Sequence, residues 1–448
     1  MSILIDGCAV ATVDANGTEH AEGWILVDGP RIAAVGTGAP PAAAERIDAA
    51  GLLATPGLVN CHHHLSQWAT RGLAQDATLF EWLVHLYPIW AHLDDEVARD
   101  AASAALAALA RSGCATTTDH HYLFPSGAGD LLAAEVEAAR ELGVRFHPCR
   151  GSMDLGRSAG GLPPDEVVED RDTILTATED AIDRFHDPGP ESMLRVAVAP
   201  CSPFSVTGEL MRESAELGRR RGVRLHTHLA ETRDEEDFCR ERFGCRPVDY
   251  LEQLEWLGPD VWLAHCVHLS PQEIARFGQS GIGVAHCPSS NARLGAGIAA
   301  VPELLDAGVA VGLGVDGAAS NECGELAVEL REALLMARAR AGPAALGARE
   351  ALALGTIHGA RCLGRQDEIG SLEPGKLADI ALWDVDGAGH AGIDDPVAAL
   401  VIGPPRNVRT LLVQGEVIVQ GGRTRVPDDE VARRARRASA TLAAAATR

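Results

Sequence analysis

The chain is expected to fold as an α/β protein, a (β/α)8 TIM barrel with a small flanking β-sandwich domain formed by both chain ends. Three observations carry this expectation. From Gly51 to about residue 320, short apolar runs with polar tips alternate with Ala/Leu/Glu/Arg-rich stretches of helical spacing, the rhythm of β/α units. The runs number eight, at 57–62, 115–119, 144–150, 194–201, 223–229, 261–266, 282–287 and 309–316, which is what a closed barrel needs. Strand-and-turn texture then reappears at both ends of the chain, and strand-rich ends around a barrel most simply pair with each other.

Taken in order, residues 1–54 hold strand-and-turn runs such as Gly23-Trp-Ile-Leu-Val-Asp-Gly and form the first part of the small β domain. Residues 55–370 form the barrel, with 97–111 as a packed helix, and residues 371–425 supply the second part of the β domain, including Leu411-Leu-Val-Gln-Gly-Glu-Val-Ile-Val. Residues 426–448 alternate Arg and Ala after Pro427-Asp-Asp-Glu and are expected to be a terminal helix with acidic residues at its start.

Composition narrows the function. With 448 residues and 46% hydrophobic content the chain can bury a large core, and no run of about 18 apolar residues suggests a membrane span. Its first residues lack the basic flank of a signal peptide, so the chain is read as cytoplasmic. A formal charge of −24 repels nucleic acid and anionic membrane, which favours a small neutral partner. Eleven cysteines without a Cys-x-x-Cys pair read as buried thiols of a reducing compartment. A single lysine, Lys376, sits far from any histidine. That leaves little room for a Schiff base or a lysine carbamate bridging two metals, and favours one metal over two.

The chemistry concentrates at the expected strand ends. His62 and His64 lie two residues apart at the end of Pro56-Gly-Leu-Val-Asn-Cys-His-His-His, so a strand would present both imidazoles on one face while His63 points away. In Val223-Arg-Leu-His-Thr-His-Leu-Ala-Glu, His226 and His228 share a face, and His228 is nearer the strand end. Glu231, three residues on, can reach a substrate without ligating a metal, as general acid/base work demands. His265 ends Val261-Trp-Leu-Ala-His, either as a ligand or to orient water or polarise the substrate. Asp316 closes the otherwise apolar run from Val309, a placement costing several kcal/mol unless the carboxylate is paired or binds a cation. Three imidazoles and one carboxylate suit one divalent ion, zinc first and iron as the alternative, with a position left for water whose pKa falls toward neutrality. Asp316 and Glu231 would then share the proton transfers of a hydrolysis.

These residues, with Ala264-His-Cys, Val315-Asp-Gly-Ala-Ala-Ser-Asn and Ile369-Gly-Ser-Leu-Glu-Pro-Gly-Lys-Leu-Ala-Asp-Ile, resemble the amidohydrolase superfamily over nearly the whole chain, in its aminohydrolase branch of base deaminases and triazine hydrolases. The resemblance implies a mononuclear metal held by His62, His64, His228 and Asp316, with Glu231, His265 and Asp316 catalytic, and an assembly into homo-oligomers. Longer loop stretches are similar to 8-oxoguanine deaminases: Asp119-His-His-Tyr-Leu-Phe-Pro, Arg150-Gly-Ser-Met-Asp-Leu-Gly, Gly160-Gly-Leu-Pro-Pro, Ala199-Pro-Cys-Ser-Pro-Phe-Ser-Val and Glu235-Glu-Asp-Phe-Cys. They imply hydrolysis of the 2-amino group of 8-oxoguanine to urate and ammonia. Gln67 matches a base-contacting glutamine of guanine deaminases, whereas Pro200-Cys-Ser departs from their Pro-Arg-Phe. Trp82 is placed to cover a flat ring, and Phe80 stands where related nucleoside deaminases use a carboxylate for ribose, so a free base is expected. Arg150 is a further candidate, either on a substrate oxo group or in an ion pair.

Three alternatives compete: an s-triazine chlorohydrolase or ethylaminohydrolase, or a deaminase of isocytosine, cytosine or guanine, on the same fold; a two-metal cyclic-amide hydrolase; and a barrel retained for binding alone. The second lacks the bridging lysine, with Cys201 in its place, and the third is disfavoured because every proposed ligand is present.

Overall fold

Residues 2–446 are described by a computed structural model. Eight parallel strands, Leu58–Asn60, Cys114–His121, Arg145–Ser152, Ala197–Pro200, Leu225–Leu229, Val261–His265, Gly283–His286 and Ala310–Leu313, pair in sequence order, and the eighth closes on the first at Leu313 and Asn60. They are the eight runs expected. Val261–His265 is buried at every residue, as a barrel strand covered by helices outside and side chains inside must be. The covering helices start at residues whose side chains accept an otherwise unpaired backbone N–H, such as Asp94, Asp130 and Thr207. Gly143 and Gly222 end two of them in the left-handed conformation, which lets the chain turn straight into the next strand.

One boundary differs from expectation in a way that matters for the site. The eighth strand stops at Leu313, and Asp316–Gly317 forms a separate parallel ladder with His63–His64. The break follows from packing at Gly314, where a Cβ would lie 2.7 Å from that of His62, and from Asn60, whose Oδ1 accepts the Val315 N–H at 2.9 Å. Asp316 is thereby carried beyond the barrel ladder to the level of the two histidines.

Both chain ends meet in one nine-stranded sheet, running Arg423–Thr424, Glu416–Gln420, Thr410–Val413, Ile380–Trp383, Leu53–Pro56, Ser2–Ala11, Glu19–Asp28 and Arg31–Gly36, with Glu45–Asp48 beside Ser2–Ala11. Ile5, Ile25, Ile32, Ile380 and Leu412, drawn from both ends, share one core, and Arg31 pairs with Leu377 across it. The run from Leu411 is a hairpin, because Gln414 and Gly415 both adopt positive φ and so form a two-residue turn. The last helix, Asp428–Ala446, lies on helix Asp95–Arg111, where Arg437 holds both Asp100 oxygens at 2.6 and 2.7 Å.

Arg145 joins barrel and sheet. It is 0% exposed inside the third strand, bonds Asp379 of the C-terminal segment, and lies 3.2 Å from Thr116 Oγ1. Asp379 Oδ1 in turn accepts the Gln414 N–H at 2.8 Å. Breaking one side of a buried pair strands the other charge, so Arg145→Met should destabilise the protein by about 3–5 kcal/mol. Glu179→Gln, which cuts the exposed Arg220 pair, should change stability by less than ~1 kcal/mol, and thermal and denaturant unfolding of the two variants measures the difference.

Candidate metal centre and active site

At the C-terminal end of the barrel, the segments that follow the first and eighth strands and the last residues of the fifth bring His62, His64, His228 and Asp316 together. His62 Nε2 and His64 Nε2 each lie 3.3 Å from Asp316 Oδ1, and His64 Nε2 lies 3.1 Å from His228 Nε2. All four side chains are buried.

The partners behind the rings fix their tautomers. His64 Nδ1 is 2.7 Å from the His120 carbonyl and His228 Nδ1 is 2.7 Å from the Cys201 carbonyl, so each Nδ1 carries the proton it donates. His226 Nδ1 donates to the Trp262 carbonyl at 2.9 Å, which leaves its Nε2 as the acceptor for His62 Nδ1–H at 2.9 Å. Each of the three Nε2 atoms therefore brings a lone pair to a common centre. Burial lowers the His62 and His228 pKa values well below the ordinary range and also lowers that of His64, so protons do not settle there easily. Burial works against the Asp316 carboxylate, but His62, His265 and His64 around it hold it well below the usual carboxylate range. His62 Nε2 has no hydrogen-bond partner. Lone pairs about 3 Å apart beside a carboxylate repel one another, and a divalent cation satisfies all of them, so the donor set fits such an ion.

The other side chains around this centre are oriented just as firmly. Ser290 Oγ donates to Asp316 Oδ2 at 2.6 Å, and the Gly317 N–H donates to Oδ1 at 2.8 Å. His265 Nδ1 donates to Asn291 Oδ1 at 2.9 Å and turns Nε2 toward Glu231 Oε2, 3.6 Å away, and Asp316 Oδ2, 3.9 Å away. Burial first, then the charges of Asp316 and Glu235, push the Glu231 carboxyl well above the usual range, which favours its protonated form. Ala230, His265 and Asp316 all have positive φ, at 51°, 70° and 61°, a left-handed conformation that costs a residue with a side chain about 1–3 kcal/mol. Such strain persists only where surrounding contacts insist on it, and here it clusters around the proposed chemistry.

A cavity of about 380 Å³ opens on this constellation. Trp82, Phe204, Leu79, Leu83 and Leu294 supply apolar walls, while Gln67, Tyr122 and Ser320 add polar groups. Trp82 Nε1 donates to the Ala319 carbonyl at 3.2 Å, which fixes the indole as a wall. Gln67 Oε1 is buried without a partner, and a Cβ on Gly317 would sit 1.6 Å from it, so a side chain at 317 would have to turn that amide aside.

Arg150 does not reach the cavity, and its assignment to substrate is corrected. On the third strand Arg145 and His147 face inward, so Arg150 falls on the outer face, forks onto both Glu169 oxygens at 2.8 to 3.1 Å, and lies over the Phe124 ring. His121 faces outward likewise, bonding Glu135 at 2.8 Å, and His63 turns from the centre to accept the His64 N–H at 2.8 Å. His120 stacks on His228 with ring centroids 4.7 Å apart.

Some contributors were not readable from sequence. Tyr87 and Tyr122 line the cavity from a helix and from the end of the second strand. Glu235 clamps the turn bearing Glu231, accepting the Ala230 and Glu231 N–H groups at 2.8 and 2.9 Å. Its spacing from Thr232 signals only a helix start.

The amidohydrolase family model matches residues 53–418. The 8-oxoguanine deaminase of Pseudomonas aeruginosa is 48% identical over 397 residues, covering 88% of each chain. Hydroxydechloroatrazine ethylaminohydrolase of Pseudomonas sp. strain ADP is 37% identical, over 94% of this chain and 89% of that protein. Among solved structures, atrazine chlorohydrolase of Arthrobacter aurescens TC1 complexed with zinc superposes with a TM-score of 0.93 at 36% identity, covering 98% of this chain and 100% of that one.

Elemental analysis of purified variants tests the ligand set: His64→Ala, His228→Ala and Asp316→Asn should each lose bound metal, while His63→Ala retains it. His226→Phe, which removes only the acceptor behind His62, should weaken metal affinity about 10–100-fold.

Proposed function

The chain belongs to the amidohydrolase family, and we propose that it hydrolytically deaminates a flat, aminated, purine-like free base, 8-oxoguanine, to urate and ammonia. The observation that carries this reading is that Glu231 and Asp316 both face His265, at 3.6 and 3.9 Å, on a cavity with apolar walls, where burial pushes the Glu231 carboxyl up and the surrounding histidines hold Asp316 down. Deamination needs an acid for a ring nitrogen and a base for water at the same carbon, and two carboxyl groups with opposed pKa shifts provide them. None of the described residues lining the cavity is Arg or Lys, the side chains that pair with phosphate, which favours a neutral base over a nucleotide. The 48% identity to an 8-oxoguanine deaminase supports the choice of base.

A zinc ion held by His62, His64, His228 and Asp316 would supply the Lewis acidity that lets water ionise near neutral pH. Asp316 Oδ2 takes one water proton as the oxygen adds to the amidine-like carbon, and Glu231 gives its proton to the adjacent ring nitrogen. The proton held by Asp316 then passes to the exocyclic amine, the C–N bond breaks, and ammonia leaves. The remaining hydroxyl proton returns to Glu231 as the new carbonyl forms, restoring both residues. His265, locked by Asn291, offers its Nε2 lone pair to orient the water. Trp82 and Phe204 enclose the ring, and Gln67 meets its edge.

The similarity to triazine hydrolases supports a second reading, removal of chloride or an alkylamine from an s-triazine. Turnover of 8-oxoguanine, guanine, isocytosine, cytosine, chlorotriazines and alkylaminotriazines, followed by urate absorbance and by release of ammonia, chloride or amine, separates the two. We expect kcat/KM for 8-oxoguanine to exceed the others at least tenfold, and a tenfold preference for a triazine overturns the first reading. Glu231→Gln should lower kcat by about 10²–10⁴-fold with little change in KM, because it removes a proton donor and keeps the shape.

A further inference from the structure

A second cavity, of about 620 Å³, lies at the opposite, N-terminal end of the barrel, where Arg224 precedes the fifth strand and Ala197 begins the fourth. His147, His186, Arg195, Arg224 and Trp262 line it, and no Asp or Glu stands among the described lining residues. In a chain with a net charge of −24 this is an unusual concentration of donors. Its positive charge is poorly matched. Arg195 and Arg365 share a single carboxylate, Glu368, at 2.7 and 2.6 Å. Arg195 Nε is buried with no partner. Arg224 Nε has none either, and no ion pair is formed by Arg224 among the described residues. Asp260 acts on it only at longer range, being bonded to Arg219 at 2.9 Å. His186 accepts the Val196 N–H through Nδ1 at 3.2 Å, so its Nε2 carries the proton. Unpaired, partly desolvated guanidinium groups are costly to keep, and a planar fork of N–H donors matches the oxygens of phosphate or carboxylate.

We propose that this cavity binds a small oxyanion, with Arg224 as its principal contact and Arg195 Nε and His186 Nε2 as further donors. Trp262 forms part of the wall, 5.9 Å from the Arg224 Cζ. It also stacks on His226 with centroids 4.4 Å apart and donates its Nε1–H to the Cys61 carbonyl at 3.0 Å, so the ligand would sit against the scaffold of His62 without touching the active-site cavity.

The test uses the metal-loaded protein at constant ionic strength, titrated with inorganic phosphate, AMP and citrate by calorimetry and thermal unfolding. At least one oxyanion should bind with a Kd at or below ~1 mM and raise the thermal midpoint by ~2 °C or more at saturation. Phosphate alone, AMP alone or citrate alone as the ligand each supports the proposal and identifies the source of the oxyanion. Arg224→Met should abolish the shift while keeping metal content and basal turnover, and Arg224→Lys, which retains charge but loses the fork, should weaken binding at least threefold. If no oxyanion binds with a Kd at or below ~1 mM, or if either variant binds within threefold of the unaltered protein, the proposal is overturned.

Discussion

Three imidazole lone pairs and a carboxylate oxygen are forced into one small buried volume, and much of the barrel's upper end is organised by that convergence. None of the four atoms can donate a proton to another without paying for burial of a charge, because each ring has already committed its Nδ1–H to a carbonyl or to His226. The centre is thus built for a cation before one arrives. The same commitment propagates outward: the carbonyls of His120 in the second strand and of Cys201 just after the fourth set the ring planes of His64 and His228, and the His226–Trp262 stack sets His62. A metal held in this way depends on the closure of the whole barrel more than on any single loop.

The strained backbone points the same way. Positive φ at His265 and Asp316 turns each side chain off the line of its strand and toward the centre, and at Ala230 it lifts Glu231 over the cavity. Glu235, Asn291 and Ser290 supply the hydrogen bonds that hold these turns. The carboxyl groups that line the cavity, Glu231 and Asp316, are pushed in opposite directions by their surroundings, and the residues behind them hold the turns by hydrogen bonds.

Local information was enough for the barrel. Strand runs, helix caps and the two-residue period of His62 and His64 are encoded within short windows, and the eight runs expected are the eight strands found. The convergence of His228 and Asp316 on that pair was also anticipated, since strand ends of a barrel share one rim. What escaped depends on which way a side chain faces. Arg150 and His121 lie near the C-terminal ends of their strands, yet the two-residue alternation sends both outward, to Glu169 and Glu135. The extent of the eighth strand was overestimated because its apolar run continues through Gly314 and Val315, while the ladder ends where His62 needs space. Tyr87 and Tyr122 reach the cavity through tertiary packing, and no spacing rule marks them.

Gly317 and Gln67 occupy what is in effect one side chain's worth of room. A side chain at 317 would meet the end of the Gln67 amide, which would have to swing aside to admit it, so the direction of that amide and the size of residue 317 are set together.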